Sequence, residues 1–387
     1  MLMTIIVFIV VLSVLVFAHE LGHFITARRL GVRADEFGFG FPPRVIGFYK
    51  NKFGKWRHVR GARTFESLES SQDENQVPAP GSTIYSINAL PIGGFVKIKG
   101  ENDNGDKEPD SFAAKKIWQR ILILSAGVIM NVILAWFLLS VAYMLGMPQA
   151  TSDLGKNARV NDSKVLIYDV RPESPAASAG LEPGDFILSV DGQLVALETD
   201  VQDLISTRAN QEVNLQIMRG EKEENLTVIP TELDEGRAII GVGIMAAGEV
   251  SYPFFSAIYE GAKLTGWILK EIVLAFIGLF RNLFAGQPVG ADLAGPVGIA
   301  SITGQAARLG LAHLLQFTAL LSLNLAIINI LPFPALDGGR ILFLLIEKVK
   351  GKPVRRDIEA ILHNIGFLLL IMLIIFITYK DIVRVLF

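Results

Sequence analysis

Five residues, His19-Glu20-Leu21-Gly22-His23, follow an apolar run from Met1 to Ala18 that carries no charged side chain. On a helix this spacing sets the two imidazoles one turn apart on the same face, with the glutamate beside them. Two neutral imidazoles suit a transition metal. A carboxylate next to them that does not ligate can take a proton from a metal-bound water. The chemistry implied is hydrolysis of an amide bond. The apolar run continued through Ala27 is long enough to cross a bilayer core. Ionisable groups inside such a segment are costly and mark function, so the chemistry is expected at membrane depth.

A hydrolytic zinc site takes three protein ligands and keeps one position open. The chain has no cysteine, so the third ligand is His, Asp or Glu. His58 lies in a basic loop. His313 and His363 lie at the ends of apolar segments, where an interfacial or internally satisfied histidine is the simpler reading. The better candidate is Asp337 in Asn329-Ile-Leu-Pro-Phe-Pro-Ala-Leu-Asp-Gly-Gly-Arg340. Pro332 and Pro334 stop a regular helix by removing backbone donors. Irregular backbone at membrane depth is tolerated only where it is buried in protein or lines a cavity. A carboxylate just after that break, with the flexible Gly338 and Gly339 behind it, can turn inward. The other reading of Asp337 is a turn or helix-terminus aspartate.

Further elements must bring these residues together. The chain is 387 residues long and 51% hydrophobic, with a net charge of −2 that gives no sign of nucleic-acid binding. Its apolar residues gather in blocks. Ile121 to Met147, Leu311 to Leu331 and Ile361 to Tyr379 carry no charge, which with the first run makes four spans. The N-terminus lacks the basic start and cleavage site of a signal peptide and is expected to be retained. Arg28, Arg29, Arg33, Lys115, Lys116 and Arg120, and the cluster from Arg340 to Arg356, place residues 28–120 and 332–360 on the cytoplasmic side. Both termini and residues 148–310 then lie outside, and HELGH and Asp337 fall near the same face. Short β-prone runs at 165–170, 186–190, 213–218 and 226–229 are separated by Ser174-Pro175, Pro183-Gly184-Asp185 and Asp191-Gly192. They read as a β-rich domain over 158–245. Pro253 to Phe284 is apolar but interrupted by Glu260, Lys263, Lys270, Glu271 and Arg281. An amphipathic helix on the membrane surface is the cheaper arrangement for it.

HELGHF at 19–24, NILPFPALDGG at 329–339 and the β-rich insertion together resemble the site-2 protease family of intramembrane zinc metalloproteases, in its bacterial RseP-type branch. The likeness covers nearly the whole chain. The stretch from Ala179 to Gln193 resembles the PDZ domains of bacterial proteases, which bind extended peptides at a sheet edge. The resemblance implies that His19, His23 and Asp337 bind Zn2+, that Glu20 is the catalytic base, and that Asn329 and Pro334 line the substrate site. Pro91 to Lys97, with Gly93 and Gly94, resembles the family's membrane-associated β-hairpin loop. That loop would give an unwound substrate helix new hydrogen-bond partners. Gly295-Pro-Val-Gly-Ile299 matches a recurrent family segment. Ala126-Gly-Val-Ile-Met-Asn131 departs from the family, because Val128 stands where many relatives have proline.

The expected architecture is an α-helical polytopic membrane protein with about four transmembrane helices, a membrane-associated β-hairpin loop and one inserted β-rich PDZ domain. The parts are 1–147 (N-terminal membrane part), 158–245 (PDZ domain, extracytoplasmic), 250–310 (interfacial helical region) and 311–387 (C-terminal membrane part). The expected function is intramembrane zinc endopeptidase in the bacterial cytoplasmic membrane. It would cut transmembrane segments of proteins such as anti-sigma factors, or remnant signal peptides, with extended peptide at the PDZ domain. The main alternative is a membrane-anchored PDZ scaffold or chaperone with a non-catalytic metal site. A proton or metal transporter would need inverted repeats, and none is evident. A tethered protease for soluble loops would need HELGH outside the apolar run.

Overall fold

A computed structural model describes residues 2–101, 108–151, 154–220, 222–232, 237–286 and 295–386. In chain order, helix α1 (Leu2–Arg29) leads into strands β1 (Ala34–Lys50) and β2 (Trp56–Val59), a short helix α2 (Phe65–Glu69), strand β3 (Ile84–Ile98) and helix α3 (Ile117–Leu145). An insertion follows: β4 (Met147–Ala150), β5 (Arg159–Val170), α4 (Pro175–Ser178), β6 (Phe186–Val190), β7 (Gln193–Leu194), α5 (Glu198–Ser206), β8 (Val213–Arg219), β9 (Lys222–Val228), β10 (Thr231–Glu232), β11 (Ala238–Ile239) and β12 (Val242–Ser251). The chain closes with α6 (Phe254–Phe284), α7 (Pro296–Leu309), α8 (Leu311–Ile330), α9 (Asp337–Lys350) and α10 (Arg356–Leu386). Two compact units result, one of residues 1–139 with 262–387 and one of residues 140–261. The interfacial region expected over 250–310 includes 287–294, which lie outside the described residues.

Four helices among the described residues are long and apolar enough to cross a membrane: Leu2–Arg29, Ile117–Leu145, Leu311–Ile330 and Asp357–Val383. Only 6% of the last span's apolar window is buried within the protein, so its surface suits hydrocarbon rather than a core. The helices meet where small residues allow close approach. A Cβ on Gly22 of α1 would lie 2.3 Å from the Ala126 carbonyl oxygen of α3, and one on Gly304 of α7 would lie 2.5 Å from Thr4 of α1. Asp381 of α10 accepts the Gly295 and Gly298 amides at 3.2 and 2.8 Å, which caps the start of α7. The Gly295–Ile299 segment therefore joins two helices, and Pro296 opens α7 where a missing N–H costs nothing.

Strands β2, β1 and β3 form an antiparallel sheet in that order, with Phe37 opposite Val96, Phe39 opposite Gly94 and Gly47 opposite Val59. This sheet extends well beyond the hairpin expected at 91–97. Its ends are anchored by two small cores. Ala27, Val32, Ile98, Phe112, Ile123, Leu124 and Leu344 join α1, β3, α3 and α9, and Tyr49, Val59, Phe65, Leu68 and Ile84 fill the space under α2. Ion pairs of Arg33 with Asp35 and Glu69, Arg44 with Glu36, and Arg120 with Glu347 surround these cores.

The second unit is a sheet in the order β4-β12-β5-β6-β8-β9, with β7 pairing β6. Its core of Val165, Ile167, Ile187, Val213, Leu215 and Ile217 comes from alternate residues of three strands, as the period of two requires. The strands start earlier and end later than 158–245, because Met147–Ala150 pairs with β12 as far as Val250. Buried Asp185 receives a two-nitrogen contact from Arg219 at 2.7 and 2.8 Å. Burial alone would raise its pKa. The Arg219 bond and the Glu182 amide outweigh that and hold the carboxyl below its usual range.

Helix α6 is one continuous element of 31 residues. Lys270 and Glu271 both lie exposed along it, 3.9 Å apart. It is absent from the four helices with span-like composition.

Candidate metal centre

Helix α1 carries His19 and His23 as a buried pair, 7% and 6% exposed, at a point where the helix is enclosed by α3 and β3. Their Nε2 atoms lie 3.1 Å apart. Asp337, the first residue of α9, brings Oδ2 to 3.0 Å from His19 Nε2 and 3.4 Å from His23 Nε2. The three are the one His/Asp/Glu group of metal-holding geometry among the described residues.

The far side of each ring fixes its orientation. His23 Nδ1–H donates to the Ile123 carbonyl of α3 at 2.8 Å, which leaves Nε2 as an acceptor. His19 Nδ1 sits 3.3 Å from the Asn131 side-chain amide of α3. The Asn131 oxygen has no partner in the described structure, and turning the amide over presents it to a His19 Nδ1–H. Both Nε2 lone pairs then face the Asp337 carboxylate. Three converging acceptors repel one another unless a cation lies between them. Separations of 3.0 to 3.4 Å match the edges of a tetrahedron, about 3.3 Å for zinc bonds of about 2.0–2.1 Å. Gly127 lines the cradle: a Cβ there would lie 2.4 Å from His23 Nε2 and 2.7 Å from His19 Nε2. The donors and the space therefore fit a zinc ion.

Glu20 lies beside the cluster and does not join it. Its Oε2 accepts the Val96 amide of β3 at 3.1 Å. Val96 lies opposite Phe37 in the sheet, and its N–H goes to Glu20 of α1 rather than to β1. Gly93 and Gly94 lie three and two residues earlier. A Cβ on Gly93 would lie 2.8 Å from Val16 of α1, and one on Gly94 would lie 2.9 Å from the Gly38 carbonyl. Gly93 also has a φ of 84°. Ser13 of α1 donates to the Pro91 carbonyl at 2.6 Å. Gly93 thus lets strand and helix touch, Gly94 lets β3 lie close on β1, and the Val96 amide is turned to Glu20.

The loop before Asp337 is shaped by contacts more than by flexibility. A Cβ on Gly338 would lie 2.2 Å from the Ile330 and Leu331 carbonyl oxygens, and one on Gly339 would lie 2.3 Å from that of Phe333. Neither glycine has a positive φ. They were expected as flexible joints, but they are the places where α9 starts flush against the end of α8. Pro334 is half-buried against Gly366 of α10, and Asn329 is half-buried in the last turn of α8 with no side-chain hydrogen bond among the described residues. Of the side chains singled out from sequence, His19, Glu20, His23, Asp337 and Asn131 assemble together. Gly127, the Ile123 carbonyl and the Val96 amide are additions. Gly127 stands in the 126–131 segment already marked by the Val128 departure, whereas main-chain contributions leave no residue-type signal.

A model of peptidase family M50 matches residues 7–58 and 78–373 of this chain. The chain is 31% identical over 433 residues to the "Regulator of sigma-W protease RasP" of Bacillus subtilis, covering 98% of each chain. It is 31% identical to the "Zinc metalloprotease RasP" of Geobacillus kaustophilus, covering 98% of this chain and 97% of the relative. Among solved structures, the PDZ domain of the SdrC-like protein from Listeria monocytogenes matches 22% of this chain and 92% of its own, at 26% identity and a TM-score of 0.21.

Proposed function

The chain belongs to peptidase family M50 as a zinc metalloprotease of the site-2 type, and from that premise we propose how its residues divide the work. It is a multi-pass protein of the bacterial cytoplasmic membrane that cleaves other membrane proteins. His19, His23 and Asp337 hold the zinc. Asn131 and the Ile123 carbonyl keep both rings in the tautomer that offers Nε2. A zinc ion held there would acidify a bound water and polarise the scissile carbonyl. Glu20 takes the proton of the attacking water and delivers it to the departing amine nitrogen. The Val96 amide holds one of its carboxylate oxygens and leaves the other free for this transfer.

Substrate enters as unwound backbone, since a helix hides its peptide bonds in internal hydrogen bonds. The outer edge of β3 offers those bonds new partners, and Asn329 steadies the peptide or its oxyanion. The substrates are single-span regulators of the anti-sigma-factor type or remnant signal peptides, in keeping with the sigma-regulating name of one relative. The β-rich unit serves as a PDZ domain for extended tails outside the cell, and α6 lies along the outer surface. Residues 28–120 and 332–360 face the cytoplasm. A membrane scaffold with an inert metal is not favoured by relatives named as proteases.

The observation that carries this reading is a triad of ligand atoms within 3.4 Å, drawn from residues 318 positions apart, with Glu20 held next to it. Glu20→Gln retains zinc and loses cleavage by roughly 100-fold or more, the scale of a general base. Co-expression of wild type and variant with a membrane-protein library, scored by the accumulated tail fragments, reads this directly. Full cleavage by the glutamine variant refutes the role of Glu20.

A further inference from the structure

His363 stands on α10, outside the chemistry described so far. Its Nδ1 accepts the Ala335 amide at 2.8 Å. Ala335 has a φ of 76°, in the left-handed region that a residue with a Cβ holds only when its surroundings enforce it. It is the middle of the Pro334–Leu336 turn that delivers Asp337 to the imidazoles. Three residues along α10, Gly366 presents the same face: a Cβ there would lie 2.5 Å from the Pro334 carbonyl oxygen. Helix α10 therefore grips this turn at two points, one by a hydrogen bond and one by close packing. The Phe343 ring packs 5.6 Å from the His363 ring and fixes its plane.

The choice of histidine is informative. With Nδ1 accepting, a neutral ring carries its proton on Nε2, and that nitrogen is buried without a hydrogen-bond partner. Its nearest carboxylate, Glu359, is 3.9 Å away. A purely packing residue would avoid this cost. What the imidazole adds is an acceptor aimed at the Ala335 amide.

We propose that His363 is a positioning residue for the metal centre. By accepting the Ala335 N–H it locks the left-handed turn that aims the Asp337 carboxylate at His19 and His23. The proposal rests on the assignment of Asp337 as a zinc ligand. Without the acceptor, the amide faces an apolar helix, the turn relaxes toward negative φ, and the carboxylate two residues on loses its direction.

The test uses the full-length protein in detergent. Zinc affinity is read by competition with a chromogenic chelator, and ligand geometry by the visible spectrum of the cobalt form. His363→Leu weakens zinc binding by about 10- to 100-fold, the range for residues that orient a ligand, and alters the cobalt spectrum. His363→Asn, whose amide oxygen can stand where Nδ1 was, binds zinc close to wild type. Ala335→Gly placed in the His363→Leu background restores affinity, because glycine holds a positive φ unaided. Asp337→Ala is the control, weaker than any of these. If His363→Leu and wild type bind alike while Asp337→Ala is weak, the positioning role is overturned. If Asp337→Ala itself binds normally, the ligand assignment falls instead. If His363→Leu does not purify folded, the asparagine variant decides alone: zinc affinity and cobalt spectrum matching wild type sustain the proposal, and a weak asparagine variant overturns it.

Discussion

Gly127 carries no functional group, yet a larger residue in its place crowds the cluster. Its α-carbon faces both imidazoles, and an added methyl would sit 2.4 Å from His23 Nε2. Gly127→Ala should therefore lower zinc affinity at least about tenfold, as displaced ligands do, while the protein still inserts and folds. Zinc content of the purified variant measures this, and a fully loaded variant would show that the rings have room to retreat. The side chains that converge at the site are legible in the sequence. His19, Glu20 and His23 announce themselves by spacing, Asp337 by the two prolines that precede it, and Asn131 by being a polar amide within an apolar span. The supporting positions are not. Nothing in the type of Ile123 or Val96 reveals that a carbonyl and an amide are used, and His363 looked like an ordinary residue at a span end until the backbone of Ala335 was placed beside it.

At the scale of elements, what decides the site is how segments distant in sequence abut. Strands β1 and β3 are longer than their composition suggests. Phe37-Gly38-Phe39-Gly40-Phe41-Pro42-Pro43 carries turn residues at close intervals, which argue for loop when taken alone. Pairing with β3 and packing of Phe17 and Phe24 on Phe37 override that local preference. Met147–Ala150 is likewise a strand only because β12 lies alongside. The apolar helices are the opposite case: their identity is in the composition, since a charge-free run of that length has few alternatives. The start of helix α7 is capped by a single side chain of α10. Asp381→Ala removes acceptors for two amides and should cost about 1–2 kcal/mol, the scale of a lost helix cap. Hydrogen exchange in detergent would show faster exchange at Gly298, and an unchanged rate there would mean that another group caps the helix.

For the whole molecule, the distribution of Lys and Arg makes an orientation that is open to a direct test. The chain lacks cysteine, so single substitutions give clean labels. Lys222→Cys, exposed in the β-rich unit, should react with an impermeant maleimide on intact spheroplasts, and Lys352→Cys, exposed after α9, only after lysis. The reverse pattern would invert the molecule. The order in which the chain is made has a further consequence. Asp337 follows His19 by 318 residues. At about 5–20 residues per second, a ribosome reaches it roughly 15 to 60 s after the first helix is complete. During that interval the nascent chain holds a histidine pair and a base with no closing carboxylate. On the proposed zinc assignment, any product that ends before Asp337 lacks one of the three ligands and carries no complete site.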